Sequence, residues 1–479
     1  MTKSCPSRFL LRVIPAVLGG LLSRGPAALA DTYPPSPGTA HTPIVLPTLE
    51  HDRAVALSSF RGKKVLLVHF ASWSEECRKE MPRWHEKMKP FVDTGKLVVI
   101  GVAQEQHADR CRLFAQWHGI DWPILHDALN LTGVEKVPTL VAIDEHGLVR
   151  NTQPDADSIV AEFITKTYDA PKVAPFIGPD KLPDPRATRR YAGEARRAEE
   201  WREHGNALIL AGKPAQIDEA IDKAYPQVIG REPGDADSLF RLGVAHMIRH
   251  ESPQRRPDDF QSAIDAWRKA HGLRSRNEVF HRRIQQYGPC VDKPFAFYGW
   301  VATARKAIVD RGDESVALQS WPCEIERAKP AKKFKYDKKQ RGPSLDEHEK
   351  ANEDRDGLVG LSYVAVPGTE QEHKRIVQEL MVLRPDAARG IEWAESADPP
   401  RLWLEKPKTG RVSKLFVECA KAPGDSSEND RVLTFAVRLP SKKGKSLTVR
   451  GTLVYSVRQG GEGAPQTLSR DVKIKIDPK

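Results

Sequence analysis

The chain has 479 residues, enough for about three domains, and its hydrophobic fraction of 39% supports folded cores rather than an unfolded chain. The formal net charge is +11, but the basic residues are spread along the sequence without interleaved aromatic residues, so nucleic-acid binding is not predicted. After the first 30 residues no apolar run reaches the ~18 residues that a membrane-spanning helix needs, so no transmembrane segment is predicted.

The first 30 residues have the pattern of a secretory signal peptide. A basic segment, a short apolar run and a cleavage site of small residues follow one another at residues 3–12, 13–22 and 28–30. We therefore expect an exported protein, located in the bacterial periplasm, whose residues 31–47 form a proline-rich leader. An uncleaved N-terminal anchor is the alternative.

Export permits disulfide bonds, and the mature chain would keep an odd number of cysteines. These are Cys77, Cys111, Cys290, Cys323 and Cys419. At least one thiol is then free or bonded to another molecule. No two cysteines have a short metal-ligand spacing and no glycine-rich nucleotide loop occurs, so we predict neither a metal site nor a cofactor.

Strands and helices alternate along the first predicted domain, residues 48–170. Continuous apolar runs predict buried strands, and apolar residues at spacings of three and four predict helices between them. The strands are expected at 65–70, 97–102 and 139–143, and the helices at 75–91 and 110–119. This alternation predicts a mixed α/β sheet.

A proline-rich linker is predicted at 171–190, and a helical region at 191–323. Two units of this region, beginning near Trp201 and Leu239, place small residues where helices would cross, as helical hairpins require. They resemble tetratricopeptide repeats, which are known for binding protein partners. A helical spacer without a partner is the alternative interpretation.

The last part of the chain changes to a period of two. After a charged linker at 324–356, apolar residues alternate with polar ones through residues 357–479, with turn residues between the runs. This pattern predicts an all-β domain, an immunoglobulin-like antiparallel sandwich. The chain is therefore predicted to be multidomain, with an α/β domain, an all-α domain and an all-β domain in that order.

Several short motifs of the α/β domain resemble those of the periplasmic thioredoxin-like thiol-disulfide oxidoreductases, members of the redoxin (AhpC/TSA-like) group. The motifs are Phe60-Arg61-Gly62-Lys63, Ala71-Ser72-Trp73, Cys77-Arg78-Lys79-Glu80-Met81-Pro82, Val137-Pro138-Thr139 and Asp144-x-x-Gly147. The resemblance implies a thioredoxin fold over about a quarter of the chain. It also implies that protein or peptide thiols and disulfides are the substrates.

The active-site motif of that family, Trp-Cys-x-x-Cys, reads Trp73-Ser74-Glu75-Glu76-Cys77 in this chain. In the family the first cysteine attacks the substrate disulfide and the second releases the product. A serine at position 74 cannot make that attack, so the usual dithiol reaction is not expected. The resemblance assigns Trp73 to the cover of the site, and Val137 with a cis Pro138 to the substrate groove.

Three functions remain open from the sequence. In the first, Cys77 carries out one-thiol redox chemistry, with Cys111 or another molecule as its resolving partner. In the second, the domain has no chemistry and the protein is an exported binding or scaffold protein that uses the thioredoxin groove and the helical repeats. In the third, Ser74-x-x-Cys77 acts as the peroxide-reducing motif of a peroxiredoxin, although Phe70 stands where that motif has proline.

The C-terminal domain carries a further resemblance, through Val449–Tyr455 and Val472–Ile476, to the immunoglobulin-like N-terminal domain of the periplasmic transmembrane disulfide reductase. Neither cysteine of that family is present: the corresponding places hold residues 456–458 and 463–465. If both resemblances hold, two redox modules in one chain lack redox cysteines, which favours a binding or scaffold role.

Overall fold

The structure is a computed structural model. It describes residues 33–194, 197–256, 258–287, 295–319, 322, 326, 336, 342–345, 351–367, 376–386, 389–419, 431–440, 446–460 and 463–476. The predicted signal peptide, Cys290 and Cys323 lie outside these residues. So does most of the predicted charged linker.

Residues 33–168 form an N-terminal α/β domain. Its strands are β1 (Val45–Pro47), β2 (Ala54–Ala56), β3 (Val65–Phe70), β4 (Val98–Ala103), β5 (Ile124–His126), β6 (Thr139–Ile143) and β7 (Val149–Asn151). Its helices are α1 (Glu75–Asp93) and α2 (Ala108–His118), with a single 3-10 turn at Leu57–Phe60 and a π turn at Val160–Ile164. The main sheet has the order β5-β4-β3-β6-β7, while β1 and β2 form a separate hairpin. The predicted α/β sheet is thereby confirmed.

The apolar residues of β3 and α1 form the core around the main sheet. Every residue of β3 is buried, because β3 lies between parallel β4 and antiparallel β6 and is covered on both faces. Helix α1 begins after Ser74, and its buried positions Met81, Trp84 and Met88 recur at the helical period. These three residues pack into the same core as the sheet.

A helical region follows. Its helices are α3 (Pro185–Glu194), α4 (Ala198–Ala211), α5 (Pro214–Glu219), α6 (Tyr225–Arg231), α7 (Ala236–His250), α8 (Asp259–Leu273), α9 (Glu278–Tyr287) and α10 (Val301–Asp310), with a π turn at Ala220–Ala224. Helix α3 begins inside the stretch predicted as a linker. The carboxylate of Asp184 accepts a hydrogen bond from the Arg186 backbone N–H (2.9 Å), and Pro185 suits the first turn of a helix.

Small residues allow the helices to approach closely, as the repeat-like pattern predicts. A methyl group at Gly243 would lie 2.4 Å from the indole nitrogen of Trp267, and one at Gly205 would lie 3.0 Å from the ring of Tyr225. The Trp267 indole N–H also donates to the Phe240 carbonyl (3.0 Å). An all-α region is therefore confirmed, and its assignment to tetratricopeptide repeats stays a prediction.

The remainder is a C-terminal β-region. Its strands are β8 (Asn352–Glu353), β9 (Val359–Pro367), β10 (Ile376–Pro385), β11 (Ile391–Trp393), β12 (Arg401–Leu404), β13 (Arg411–Val412), β14 (Phe416–Glu418), β15 (Arg431–Arg438), β16 (Leu447–Gln459) and β17 (Gln466–Ile476). They form two sheets, β13-β15-β10-β9 and β14-β12-β16-β17-β8, with β11 paired to β16. Apolar residues from both sheets form one core. Two β-sheets are thus confirmed, and the immunoglobulin-like assignment stays a prediction.

The C-terminal β-region contacts the helical region through one end of its strands. The Arg384 guanidinium, near the end of β10, donates to the His250 carbonyl at the end of α7 (2.7 Å). In return, Arg255 donates to the Arg384 carbonyl (2.9 Å). These contacts place the Pro385 end of β10 against the helices.

Candidate functional site

The sequence-predicted site lies at one edge of the sheet in the N-terminal α/β domain. Strand β3 ends at Phe70 and leads into Ala71–Ser74, and β4 ends next to it and leads into residues 104–107. Antiparallel β6 begins at the same edge, just after the cis Val137–Pro138 peptide bond. The topology therefore brings the Trp73–Cys77 segment and the Val137–Pro138 segment to one end of the sheet, as the resemblance implies.

Ser74 is the N-cap of α1. Its hydroxyl oxygen accepts a hydrogen bond from the backbone N–H of Cys77 (3.3 Å), which satisfies a helix N–H that has no partner inside the helix. Glu75 and Glu76 follow in the first turn, where negative charge interacts favourably with the helix dipole. The serine is therefore used as a structural cap.

Cys77 has no exposed surface and is not part of a disulfide. Burial raises the pKa of its thiol to about 12, and an interaction of the thiol with the Ser74 side chain opposes that rise only in part. A helix N-terminus normally favours a thiolate. At Cys77 the loss of solvation outweighs that effect, so the group is a neutral thiol near pH 7.

Cys111 lies beside the same loop, held by a buried carboxylate. Its thiol donates to Glu105 (3.1 Å), and the backbone N–H and hydroxyl of Ser72 donate to the same carboxylate (2.7 and 2.8 Å). Burial, and then the charge of Glu105, raise the pKa of the Cys111 thiol well above its usual value. Glu105 therefore ties the loop before Ser74 to helix α2.

The sequence analysis did not identify Glu105. Its position in the sequence could have indicated a site residue, because Glu105 comes two residues after a buried parallel strand. The carboxyl ends of parallel strands meet at the same edge of a sheet. A fourth donor to this carboxylate, the hydroxyl of Tyr298 (2.8 Å), comes from the helical region, far away in the sequence.

The helical region covers this edge of the sheet. The ring of Phe297 packs on Trp73 with 5.8 Å between centroids, and both side chains are buried. The neighbouring Tyr298 also lies under the Arg110 guanidinium, which is 4.2 Å from the ring centroid. Residues 295–300 therefore pack against Trp73, the residue that the resemblance assigns to the cover of the site.

Polar contacts extend this cover. The fully buried Arg110 forms an ion pair with Glu326 at 2.5 Å. Further contacts between the α/β domain and the helical region are Arg283 to Gln106 (2.6 Å), His107 to Glu251 (2.8 Å) and the Glu278 backbone N–H to the Glu135 carbonyl (2.7 Å). Glu326 falls within the stretch predicted as a solvated linker, so at this position the prediction differs from the structure.

A buried histidine, His126, forms a hydrogen bond with the loop that contains Glu105. His126 donates through Nε2 to the Glu105 backbone carbonyl (2.8 Å), so its Nδ1 accepts from His51 (2.9 Å). Burial, and then the charge of His51, lower the pKa of His126 to about 3. The ring is neutral near pH 7, as this pattern of donor and acceptor requires.

The predicted site residues thus lie in one neighbourhood but form no open groove. Trp73, Ser74 and Val137 are buried, and Pro138 is half-buried. A small surface pocket lies instead at the opposite end of β3, lined by residues that include Lys63, Val65 and Ile143. Within the described ranges, no group of three or more His, Cys, Asp or Glu could hold a metal ion. The helices described there include none that is long and apolar enough to cross a membrane.

Comparison with known proteins adds to this geometry. Residues 38–152 match the model of the AhpC/TSA family. The chain is 33% identical over 112 residues to the thioredoxin-like protein YneN of Bacillus subtilis, covering 22% of this chain and 64% of that protein. It is 31% identical over 117 residues to the thiol-disulfide oxidoreductase ResA of Geobacillus thermodenitrificans, covering 24% of this chain and 66% of ResA.

A solved structure of the thioredoxin domain of a thiol-disulfide oxidoreductase from Bacteroides vulgatus is also similar. Its TM-score is 0.25 at 20% identity, and the match covers 27% of this chain and 99% of that one. The chain matches less than two thirds of the length of both curated relatives. The N-terminal α/β domain is a thioredoxin-fold domain that is similar to thiol-disulfide oxidoreductases, and additional helical and β-sheet regions follow it along the chain.

Proposed function

We propose that this chain is an exported, non-catalytic binding or scaffold protein, in which the former active-site face of the thioredoxin-fold domain holds the helical region of the same chain. The observation that carries the proposal is the burial of Cys77 together with the packing of Phe297 on Trp73. Export follows from the signal-peptide pattern of residues 1–30.

The chemistry of the site supports this function. Thiol-disulfide exchange needs an accessible thiolate that attacks first, and the residue at that position is Ser74, whose hydroxyl caps α1. The remaining thiol, Cys77, is protonated near pH 7 because burial raises its pKa to about 12. The same pKa disfavours a peroxiredoxin-like reaction, which depends on a thiolate.

One-thiol redox chemistry through Cys77 is a second candidate. The observation in its favour is that the thiol of Cys111 and the loop before Ser74 share the carboxylate of Glu105. If residues 295–300 moved away, Cys77 could attack a protein disulfide, form a mixed disulfide and release one substrate thiolate. The Cys111 thiolate would then attack the Cys77 sulfur of that mixed disulfide and displace the second substrate thiolate, leaving a Cys77–Cys111 disulfide.

Restoring the missing cysteine distinguishes these functions. We would compare Ser74→Cys with wild type and a Ser74→Ala control for the reduction of insulin disulfides, and map alkylated cysteines by mass spectrometry. On the proposed function none of the three proteins reduces insulin, because the face is covered as well as altered. Cys77 and Cys111 are then alkylated only after unfolding.

Other outcomes contradict the proposal. Rapid alkylation of Cys77 in the native wild-type protein, or a Cys77–Cys111 disulfide after a cycle of oxidation, would favour the one-thiol candidate. Reduction of insulin by Ser74→Cys alone would show that the face is accessible and that only the first cysteine is missing.

A further inference from the structure

Exposed basic side chains collect at one end of the C-terminal β-region. They lie in the connection after β12, in β13, at the last residue of β15, near the start of β16 and near the end of β17. The residues are Lys406, Lys408, Arg411, Arg438, Arg450, Lys473 and Lys475, and all seven are exposed. We call this set the basic end.

The strand register brings these segments together. Arg450 near the start of β16 lies directly opposite Lys473 near the end of β17, and Arg411 of β13 lies opposite Arg438 of β15. The backbone N–H of Glu405 donates to the Arg450 carbonyl (2.9 Å), which places the 405–408 connection at the same end. Both sheets therefore contribute to the basic end.

Within the basic end, residues of like charge lie directly opposite each other on neighbouring strands. Arg450 faces Lys473 and Arg411 faces Arg438 across antiparallel pairs, an arrangement that destabilises a sheet. Elsewhere in the same region, charges that face each other across strands are matched. Arg401 pairs with Glu418 at 2.7 Å and Arg458 with Glu392 at 3.3 Å, and both are register partners.

The chain supplies little counter-charge at this end. Within 405–411, 438–440, 446–450 and 471–476, the acidic residues are Glu405 and Asp471, and Asp471 lies opposite Thr452, two residues along the strands from the Arg450–Lys473 pair. None of the ion pairs between residues described in the structure involves Lys406, Lys408, Arg411, Arg450 or Lys473. Basic residues therefore outnumber acidic ones in these ranges, and an external anion would offset the repulsion between Arg450 and Lys473.

The basic end lies at the end of the strands opposite the contact with the helical region. Strand β10 has its Pro385 end against the helical region and its Ile376 end opposite Arg438. Ten residues of extended strand span roughly 30 Å. The helical contact described above is therefore roughly this distance from the basic end.

We propose that the basic end docks on the surface of an anionic phospholipid bilayer. Its charges come from several chain segments at the tips of strands, and a broad anionic surface can contact all of them at once. None of the residues in the four ranges above is aromatic. The nearest aromatic pair, Trp403 and Phe416, is half-buried, and the Trp403 indole N–H donates to the Pro343 carbonyl (2.9 Å). Bases of single-stranded nucleic acid therefore find no aromatic stacking platform within these ranges.

The test is sedimentation of the purified full chain with vesicles of equal parts phosphatidylglycerol and phosphatidylcholine, and with vesicles of phosphatidylcholine alone. Binding is expected only to the anionic vesicles and should be lost at ~0.5 M salt, where exposed charges are screened. The double variant Arg450→Gln/Lys473→Gln should bind at least tenfold more weakly, because each basic residue at an anionic surface contributes substantially to binding.

The matched control is Lys306→Gln/Arg355→Gln, which removes the same net charge at two exposed positions away from the basic end. This control should bind anionic vesicles within about twofold of wild type. Equal weakening by the two double variants, or no binding of wild type to anionic vesicles, overturns the proposal. Binding to duplex DNA that depends on Arg450 and Lys473, without binding to vesicles, also overturns it. The outcome does not depend on the redox state or activity of the thioredoxin-fold domain.

Discussion

Polar residues cluster at two strand ends of this molecule, and the two clusters differ in how their charges are paired. At the covered end of the thioredoxin-fold sheet, the carboxylate of Glu105 receives four hydrogen bonds, and the guanidinium of Arg110 has a buried carboxylate partner. At the basic end of the C-terminal β-region, like charges face each other in the open, as Arg450 and Lys473 do.

The polar groups at the covered end stabilise the fold through contacts within the chain, whereas the polar groups at the basic end can contact an external partner. Buried charge is tolerated only when it is matched, because taking an ion out of water costs several kcal/mol. Exposed like charges cost far less, so a fold can keep them where an external partner supplies the opposite charge. Glu105 and Arg110 at the covered end belong to the first kind.

The largest effect is expected where a matched buried charge is broken. Glu326→Ala leaves the guanidinium of Arg110 buried without its partner, and we expect a loss of about 3–5 kcal/mol in the free energy of unfolding. Urea unfolding measures this. Lys306→Ala, which breaks the exposed pair with Asp310 (2.9 Å), is the control and should cost less than about 1 kcal/mol. Similar losses in the two variants would mean that the cover over the site is not formed.

The second effect is a loss of stability in acid that arises at the covered end. Burial lowers the pKa of His126 to about 3, whereas an unfolded histidine titrates near its ordinary value of 6.5. Between these values the unfolded chain binds the additional proton, so stability is present above pH ~6.5 and declines as the pH falls. The slope is about 1.4 kcal/mol per pH unit for this group, and the loss is about 2 kcal/mol by pH ~5.

Thermal unfolding between pH 7 and pH 5 checks this prediction. His126→Gln should show a shallower dependence on pH, and its stability at pH 7 should be lower because buried hydrogen bonds of the ring are lost. The lysine and arginine residues of the basic end stay charged throughout this range, so Arg450→Gln should keep the wild-type pH dependence. An unchanged slope in His126→Gln would contradict the prediction.

A smaller effect is expected from one hydrogen bond of the cover. Tyr298→Phe removes one of the four donors to Glu105 and leaves the aromatic packing in place. We expect a cost of about 1.5 kcal/mol, as for a hydrogen bond to a charged acceptor whose other donors remain. Native-state alkylation of Cys111 should also become faster, since its thiol shares that carboxylate. Tyr363→Phe, in the C-terminal β-region, should leave the alkylation rate unchanged.

The smallest effect is predicted at the basic end, and it has the opposite sign. Arg450→Thr removes the repulsion with Lys473 and should stabilise the protein by about 0.2–1 kcal/mol. The matched variant Arg401→Thr removes a charge from the neighbouring strand that is paired with Glu418, and it should destabilise the protein by a similar amount. Melting temperatures of the two variants in low salt test this prediction. A shift of the same sign in both variants would contradict the distinction between matched and opposed charges.

Local patterns gave much of the fold. The unbroken apolar run Val65–Phe70 predicted a buried strand, and apolar residues at spacings of three and four predicted helix α1 from residue 75. The start of α3 was missed, although Asp184-Pro185 is a capping signal, because the prolines around it resemble a linker. Neither Glu105 nor Tyr298 was identified as part of the site, since their contact joins residues 193 apart in the sequence.

By itself the sequence determined that a serine stands at residue 74, where the resemblance expects the first cysteine, and that apolar periods of different length follow one another along the chain. The tertiary structure alone decided that this edge of the sheet is covered, because Phe297 packs on Trp73 and Tyr298 donates to Glu105 from another region. It also decided which charges face each other, because strand register joins Arg450 to Lys473 and Arg401 to Glu418. Periodicity and propensity are local properties, whereas burial and charge pairing depend on residues that only folding brings together.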